Sequence, residues 1–261
     1  MLDNNGLHMR AAFFRFIRAF FFDSGFLEVS TPLRQPVYLP ESNIIPLQSE
    51  EQFLQTSPEL CMKRLLAGGC EKIYQICHCF RKDECGQLHL EEFQMLEWYR
   101  KDSDYLALMT DCENLLRSLA TELERLQVAS SEQGHIEFFQ GTELHAPWQR
   151  MTVKDAFLQY SSTTVEKALA ENLFDEILVE YIEPHLGYGS PLFLYDYPAE
   201  LASLAKKKDD DPTLAERFEL YIKGVEVANG FSELTEAVEQ RQRFALEIAS
   251  MKVNQAGEVN M

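Results

Sequence analysis

The spacing of apolar and polar positions predicts a long helix near the start of the chain. Residues 7–23 are mostly apolar, and Ser24-Gly25 after them is typical of a helix end. The polar side chains of this segment fall on one arc at 100° per residue: His8, Arg10, Arg15 and Arg18. The remaining apolar face is too wide to be covered from one side. It indicates either a central core helix or a helix shared with a partner subunit, and the pattern favours neither.

Further along the chain, the periodicity switches between strand-like and helix-like segments. Helices are predicted at 58–68, at 103–126, in short pieces within 152–185, and from about residue 236. Strands are predicted at 26–32, 72–81, 92–100, 192–196, 216–222 and 225–233. Residues 128–150 are polar and irregular, which indicates a possible insertion. Strands that are neighbours in sequence and joined by short loops predict an α+β fold, with an antiparallel sheet flanked by helices in one domain over 1–261.

Composition narrows the class of partner. The chain has 24 Lys and Arg against 42 Asp and Glu, a formal charge of −18, so avid binding to nucleic-acid phosphates is not expected. The six cysteines follow no secreted disulfide framework, which favours reduced cytosolic thiols. Arg15 and Arg18 interrupt the apolar run at 11–22, and a spanning helix needs about 20 apolar residues. We therefore expect a cytoplasmic protein without a membrane segment.

Candidate chemistry lies on the strand predicted at 92–100. Because side chains alternate along a strand, Phe93, Glu97 and Tyr99 share one face. An aromatic ring, a carboxylate and a phenol on one face suit the floor of a pocket, where the ring stacks on a base and the polar pair holds a cation. The pattern alone favours the alternative of a half-exposed strand with a surface salt bridge to Arg81.

A second candidate is the hairpin formed by 216–222 and 225–233. A two-residue turn at Lys223-Gly224 places Tyr221 opposite Glu226, with Glu219 on the same face. Two carboxylates so placed suit a divalent cation that also holds phosphates. The side chains of Asn229, Phe231 and Glu233 have the opposite parity from Glu226, so all of them share a pocket only if a bulge intervenes, which we expect at Gly230. The alternative is an exposed hairpin with ordinary charges.

Two further patterns have simpler explanations. Cys77-His78-Cys79 together with Cys85 and His89 suggests zinc, but the cysteines lack the two-residue spacing of a zinc knuckle. The charge run over 206–211 is interpreted as a solvated loop.

Several segments together resemble the class II aminoacyl-tRNA synthetases. The stretch from Gly25 to Pro32 resembles motif 1, and the stretch from Phe80 to Glu97 resembles motif 2. Ser57-Pro58-Glu59 resembles the segment that meets the amino acid, and residues 226–234 (EVANGFSEL) closely resemble the lysine signature of lysyl-tRNA synthetases. Within this group, the early start of motif 1 and the short loop before His89 resemble the elongation factor P–lysine ligases. That family transfers β-lysine to a lysine side chain of the factor.

The resemblance implies a reaction and a set of roles. The carboxylate of lysine or β-lysine attacks the α-phosphate of ATP, and an amine then takes the aminoacyl group, with ATP and Mg²⁺ as cofactors. Arg81 would be the catalytic residue at the α-phosphate. The nucleotide would be held by Arg81, Glu84, His89 and Phe93. A general base is the alternative role for His89. Magnesium would be held by Glu219 and Glu226. The amino acid would be held by Glu59, Glu97, Tyr99, Asn229, Phe231 and Glu233.

Alternatives to an elongation factor P ligase stay open. One is a lysine–tRNA ligase core without its anticodon domain, although the charge makes tRNA an unlikely partner. Another is a non-catalytic lysine-binding or dimerisation paralogue. Motif 3 is not found after Glu233, so the sequence given predicts a C-terminally truncated class II fold. We expect weak ATP binding, very slow or undetectable adenylate formation, and some retained lysine affinity. A homodimer through the helix at 7–23 is also expected.

Overall fold

The computed structural model describes residues 3–41, 44–129 and 141–258. The chain divides into two compact units, which are described separately. The four-stranded unit consists of Met1–Ile17 and Ser103–Thr235. The three-stranded unit consists of Arg18–Asp102 and Glu236–Met261.

Seven α-helices and ten strands are assigned within the described residues. The helices are α1 (Asn4–Asp23), α2 (Glu59–Ala67), α3 (Tyr105–Ala129), α4 (Val153–Tyr160), α5 (Val165–Ala170), α6 (Phe174–Ile177) and α7 (Ala237–Glu258). The strands are β1 (Leu27–Glu28), β2 (Arg34–Gln35), β3 (Gln48–Ser49), β4 (Gln52–Leu54), β5 (Lys72–Phe80), β6 (Glu92–Arg100), β7 (Gln149–Thr152), β8 (Leu192–Pro198), β9 (Leu214–Ile222) and β10 (Val225–Phe231). A short π-helix (Leu178–Ile182) and a 3₁₀ turn (Glu183–His185) follow α6.

The three-stranded unit is built around the antiparallel pair β5–β6. Its register runs without a shift from Lys72 opposite Arg100 to Phe80 opposite Glu92. Strand β1 pairs with β5 in parallel at the outer side, and β2, β4 and β3 form a second small sheet. Phe21 at the end of α1 stacks on Tyr74 with ring centroids 4.6 Å apart, and this contact anchors the helix end to the sheet.

The four-stranded unit has the strand order β10-β9-β8-β7. Only β7 and β8 run parallel; the other pairs are antiparallel. The helices α4 to α6 cover one side of this sheet with a buried apolar cluster, in which Phe157 stacks on Phe174 at 5.0 Å. Thr152 caps α4 because its hydroxyl accepts a hydrogen bond from the Asp155 N–H at 3.1 Å, so the chain turns from β7 directly into the helix.

Most predicted elements are confirmed, and the α+β fold class is confirmed with them. The helices at 7–23, 58–68 and 103–126 are present, as are the strands at 72–81 and 92–100, each with small shifts of their ends. The strand predicted at 26–32 is reduced to Leu27–Glu28. Strands β2, β3, β4 and β7 were not predicted, because runs of two to four residues carry too little periodicity. The possible insertion at 128–150 lies largely outside the described residues, and the single domain over 1–261 stays a prediction.

Candidate active-site residues on two strand pairs

The β5–β6 pair of the three-stranded unit presents one face that carries most of the residues predicted there. The register places Gln75 opposite Glu97, Cys77 opposite Met95, and Cys79 opposite Phe93. Since side chains alternate along each strand, Tyr99 lies on this face too. We call this set the Glu97 face. Gln75 was not among the predicted residues. It is 2% exposed, and its side-chain amide oxygen has no hydrogen-bond partner among the described residues.

The carboxylate of Glu97 has a defined hydrogen-bonding environment. The Ser57 hydroxyl donates to its Oε2 at 2.7 Å, and the Tyr99 hydroxyl donates to its Oε1 at 2.8 Å. Burial raises the pKa of Glu97 to about 8, and the nearby Glu59 carboxylate adds to the increase. The strand is partly exposed, as the alternative expected, but Glu97 is held by Ser57 and Tyr99 and not by a surface salt bridge to Arg81. The Glu97 partner Ser57 is 40 residues away in sequence, so the pattern of the strand did not reveal this contact.

Glu59 opens helix α2 beside this carboxylate. Its backbone N–H donates to the Ser57 hydroxyl at 3.0 Å, so Ser57 links the helix start to Glu97. Its side chain forms an ion pair with Lys63 at 2.6 Å, one helical turn later. A ligand amine at Glu59 would therefore share this carboxylate with Lys63.

Arg81 leaves the end of β5 towards the loop before β6. Its Nε donates weakly to the Thr56 carbonyl at 3.4 Å, and its Nη1 is 3.8 Å from Glu84 Oε1. Its guanidinium carbon lies 5.3 Å from the centroid of the Phe93 ring. With about a quarter of its side chain exposed, Arg81 is held in place yet remains able to contact an anion. His89 is exposed in the same loop, where its carbonyl accepts a hydrogen bond from the Gly86 N–H at 3.1 Å.

In the four-stranded unit, the β9–β10 hairpin has the predicted turn and a bulge at a different place. Glu226 lies opposite Tyr221 as predicted, and the register then shifts between Glu226 and Ala228. Asn229 consequently lies opposite Glu219, so it joins Glu226 on one face of the hairpin. The expected bulge at Gly230 is wrong. Gly230 is needed instead for close packing, because a Cβ there would lie 2.6 Å from the ring of Phe218.

The carboxylate of Glu219 is buried and accepts three hydrogen bonds. Arg217 Nη2 donates to its Oε1 at 2.7 Å, while the hydroxyls of Tyr197 and Tyr221 both donate to its Oε2. Burial, followed by the charge of Glu219, raises the pKa of both tyrosines, which keeps them protonated donors. The Tyr221 hydroxyl also lies 3.0 Å from Glu183 Oε1, and burial raises the pKa of that second carboxyl. The alternative of an exposed hairpin is wrong at Glu219.

The predicted magnesium pair can be tested against this arrangement. A carboxylate has about four lone-pair sites, and three of those on Glu219 are used, which leaves one on Oε1. Glu226 is exposed on the same face of the hairpin. Mg²⁺ usually takes one or two carboxylates and completes its shell with phosphates and water. Glu219 and Glu226 therefore fit a magnesium ion held mainly by a phosphorylated ligand.

The end of the lysine-like signature pairs with the chain just before the charge run at 206–211. Glu233 pairs with Ala205 through an isolated bridge, and Ser232 accepts a hydrogen bond from the Tyr105 N–H at 2.9 Å. The charge run at 206–211 is not simply a solvated loop, because Lys208 forms an ion pair at 2.7 Å with Asp196, which is only 8% exposed. The sequence of this run did not indicate that Asp196 would be its partner.

The zinc alternative gains no support in the described ranges 3–41, 44–129 and 141–258. No group of three or more His, Cys, Asp and Glu side chains there is arranged to hold a metal ion. The six cysteines are free thiols. No helix in the described part of the chain is long and apolar enough to cross a membrane.

Comparison with known proteins identifies the class to which this fold and these residues belong. The family model for class II tRNA synthetases of the aspartate, lysine and asparagine group matches residues 3–258. The chain therefore belongs to the class II tRNA synthetase family. The resemblance found in the separate motifs extends over nearly the whole sequence.

The individual relatives are more specific. The chain is 40% identical over 245 residues to the elongation factor P–(R)-β-lysine ligase of Edwardsiella ictaluri, covering 90% of this chain and 75% of the relative. It is 39% identical over 247 residues to the ligase of the same name from Salmonella gallinarum, with the same coverage. The ligase of Proteus mirabilis is 39% identical over 238 residues, covering 87% and 73% of the two chains.

Proposed function

We propose that this protein activates lysine or β-lysine with ATP and transfers the aminoacyl group to a lysine side chain of elongation factor P. The observation that carries the proposal is the Glu97 carboxylate, held by Ser57 and Tyr99 in a largely buried position. Glu97 is a neutral acid while the site is empty, and a ligand ammonium beside it would favour its ionised form, because a buried cation must be paired. The (R)-β-lysine ligases named above, at 39 to 40% identity, support the choice of acceptor.

The proposed first step places the substrate carboxylate against the α-phosphate of ATP. Arg81 neutralises charge at this phosphate, since its guanidinium is held by the Thr56 carbonyl and the Phe93 ring and is still partly exposed. Glu84 and His89 contact the nucleotide, and Phe93 offers its ring to adenine. Magnesium at Glu219 and Glu226 would neutralise phosphate charge. Such a reaction depends on positioning and charge stabilisation rather than on a covalent protein group.

Recognition of the amino acid is assigned to carboxylates and their neighbours on each strand pair. Glu97 and Tyr99 take the distal ammonium, and Glu59 takes the other amine. On the hairpin, Asn229 orients the substrate carboxylate. Phe231 and Glu233 are further candidates for contact with the amino acid. In the second step, the amine of the acceptor attacks the activated carbonyl and adenosine monophosphate leaves.

A homodimer in the cytoplasm is part of the proposal. Along α1 only Ile17 and Phe21 are buried in the described chain, whereas Phe22 is 77% and Leu7 is 54% exposed. Apolar side chains left so open on one helix suit burial against a second copy.

The amino-acid specificity is tested by ATP–pyrophosphate exchange with lysine, β-lysine, aspartate and asparagine supplied separately. We expect exchange to be very slow, to depend on lysine or β-lysine, and to be lost in Glu97→Gln. Glu92→Gln is the matched control, because Glu92 is exposed on the same strand and has the opposite parity. Exchange that depends on aspartate or asparagine would refute the assignment of the amino acid.

A lysine–tRNA ligase is the alternative within the family. The charge of −18 favours a protein acceptor over tRNA, because an acidic surface repels the phosphate backbone. The other alternative is a paralogue that binds lysine but catalyses no reaction. Lysine binding without any exchange would identify that case.

A further inference from the structure

One buried acceptor on the Glu97 face has no partner and no role in the proposed reaction. Gln75 lies on β5 and is buried, and its side-chain oxygen accepts no hydrogen bond from the described residues. Buried polar groups in folded proteins nearly always have a partner, because the water that they lose must be replaced. The unpaired oxygen is accounted for if a ligand supplies the missing donor.

The orientation of the Gln75 amide is set by its neighbour on the same strand. Cys77 lies two residues further along β5 on the same face, and the Gln75 amide donates a hydrogen bond to its sulfur. That sulfur is held in turn by the Gln55 amide at 3.3 Å, which also donates to the His78 carbonyl at 2.8 Å. Because the NH2 group of Gln75 is engaged with Cys77, the oxygen at the other corner of the amide is turned away from Cys77.

The residue directly across the ladder from Gln75 is Glu97, in a register without a shift. Side chains placed opposite each other in this way have Cβ atoms about 4.5–5.5 Å apart. The oxygens of Glu97 accept from Ser57 and Tyr99, so the Gln75 oxygen is not used to hold this carboxylate. Glu97 is partly exposed, so a ligand can reach this part of the face from solvent.

An ammonium group carries three N–H donors that point in different directions. Glu97 and Tyr99 both offer their acceptors from β6. We infer that the side-chain oxygen of Gln75 is a further acceptor, supplied by β5, for the distal ammonium of the amino acid. Gln75 is then a specificity-determining residue of the proposed lysine site. This role rests on the proposed function, because it adds a contact to the ammonium assigned to Glu97.

The two facing residues divide the selection of the ligand between charge and direction. Glu97 supplies one negative charge for the one positive charge of the ammonium, and Gln75 adds an acceptor without adding charge. A ligand that ends in a methyl group leaves the Gln75 oxygen buried and unpaired. Sites built to hydrogen-bond an N–H group reject analogues that lack it far more strongly than apolar pockets reject a change in size.

Calorimetry with lysine and with β-lysine measures the contribution of this oxygen. Gln75→Met replaces the amide by an apolar chain of similar size. We expect about a ten- to hundredfold loss of affinity for whichever of the two amino acids binds wild type more tightly. Gln75→Glu keeps a carbonyl oxygen at the same place and should retain most of the affinity. Gln94→Met is the matched control, because Gln94 is exposed on β6 with the opposite parity to Glu97, and it should bind as wild type does.

Urea unfolding without ligand separates a binding role from a structural one. Gln75→Met removes a buried oxygen that has no partner, so the ligand-free variant should be at least as stable as wild type. A residue that only supports the fold would lose stability and lysine affinity together. Wild-type affinity in Gln75→Met, an affinity loss matched by a loss of ligand-free stability, or no recovery in Gln75→Glu would each overturn the assigned role.

Wild-type protein provides a measurement that needs no variant to fold. The side-chain carbonyl carbons of glutamine are labelled with ¹³C, and the Gln75 signal is assigned through its backbone. This signal should move when lysine or β-lysine saturates the protein, because the oxygen gains a charged donor. A signal that stays in place at saturation would overturn the role of Gln75.

The same experiments distinguish a failure of this role from a failure of the proposed function. Equal lysine affinity in wild type and Gln75→Met disproves the role of Gln75 and leaves the proposed function intact. Lysine binding that depends on Gln75 but gives no ATP–pyrophosphate exchange disproves the catalytic proposal alone. A wild type that binds neither lysine nor β-lysine disproves the lysine site, and the role of Gln75 with it.

Discussion

Replacing Glu97 by Gln should remove a pH dependence of stability that the wild-type protein carries. The pKa of Glu97 is about 8 in the folded chain against an ordinary value of 4.5, chiefly because of burial. The folded state therefore holds a proton that the unfolded state has already released between these two values. The free energy of unfolding falls as pH rises through this window, and the stabilising contribution of the neutral acid is lost by about pH 8.

The magnitude follows from the pKa difference. The full difference corresponds to at most about 5 kcal/mol, and the portion between pH 6 and pH 8 is about 2 kcal/mol. Glu97 keeps a little solvent contact, so these values are upper limits. In Glu97→Gln the amide oxygen accepts from one of the hydroxyls of Ser57 and Tyr99, and the amide NH2 donates to the other.

The assay is urea unfolding at several pH values between about 6 and 8, for wild type, Glu97→Gln and the matched control Glu92→Gln. We expect wild type and Glu92→Gln to lose stability together as pH rises, while Glu97→Gln loses less. Taking the difference between proteins removes the contribution of other titrating groups. Parallel curves for wild type and Glu97→Gln would show that Glu97 is ionised at neutral pH and would refute the assigned environment.

Three further predictions concern packing, a buried ion pair and assembly. Gly230→Ala should cost about 1–3 kcal/mol in chemical denaturation, because its Cβ would overlap the buried ring of Phe218, and an unchanged midpoint would contradict that packing. Glu219→Ala should lower the free energy of unfolding by about 3–5 kcal/mol, because it leaves Arg217 buried without its carboxylate. A smaller loss in Glu219→Ala than in the double variant Glu219→Ala/Arg217→Met would contradict a tight pair. Sedimentation should show a dimer that Phe22→Asp weakens, whereas a monomeric wild type at micromolar concentration would refute the assembly.

The secondary-structure elements were largely predictable from local sequence patterns. The candidate site was only partly predictable, because its contacts join residues that are far apart in the sequence. The two-residue turn at Lys223-Gly224 fixed the pairing of Tyr221 with Glu226, because turn length sets the register of a hairpin. The shift two residues later has no signature in sequence, since Val227 is an ordinary strand residue. Gly230, which lies within β10, serves packing against Phe218 instead.

Partners of the candidate residues were harder to foresee than the residues themselves. Alternation on β6 placed Glu97 and Tyr99 on one face, and this was confirmed. The Ser57 hydroxyl that holds Glu97 comes from a loop far away in sequence. In the same way, the pairing of Lys208 with Asp196 depends on a bulge in β8, where Asp196 has a φ of 60°. Burial of charge depends on tertiary structure, which local patterns do not encode.

The identity of the acceptor tests the account most directly. Purified protein is incubated with ATP, magnesium and either lysine or β-lysine, together with unmodified elongation factor P or with lysine tRNA. The mass of each acceptor is then measured by mass spectrometry. The account predicts one added lysyl or β-lysyl group on elongation factor P, lost in Arg81→Ala and kept in Glu92→Gln. Aminoacylated tRNA together with unmodified elongation factor P would contradict it.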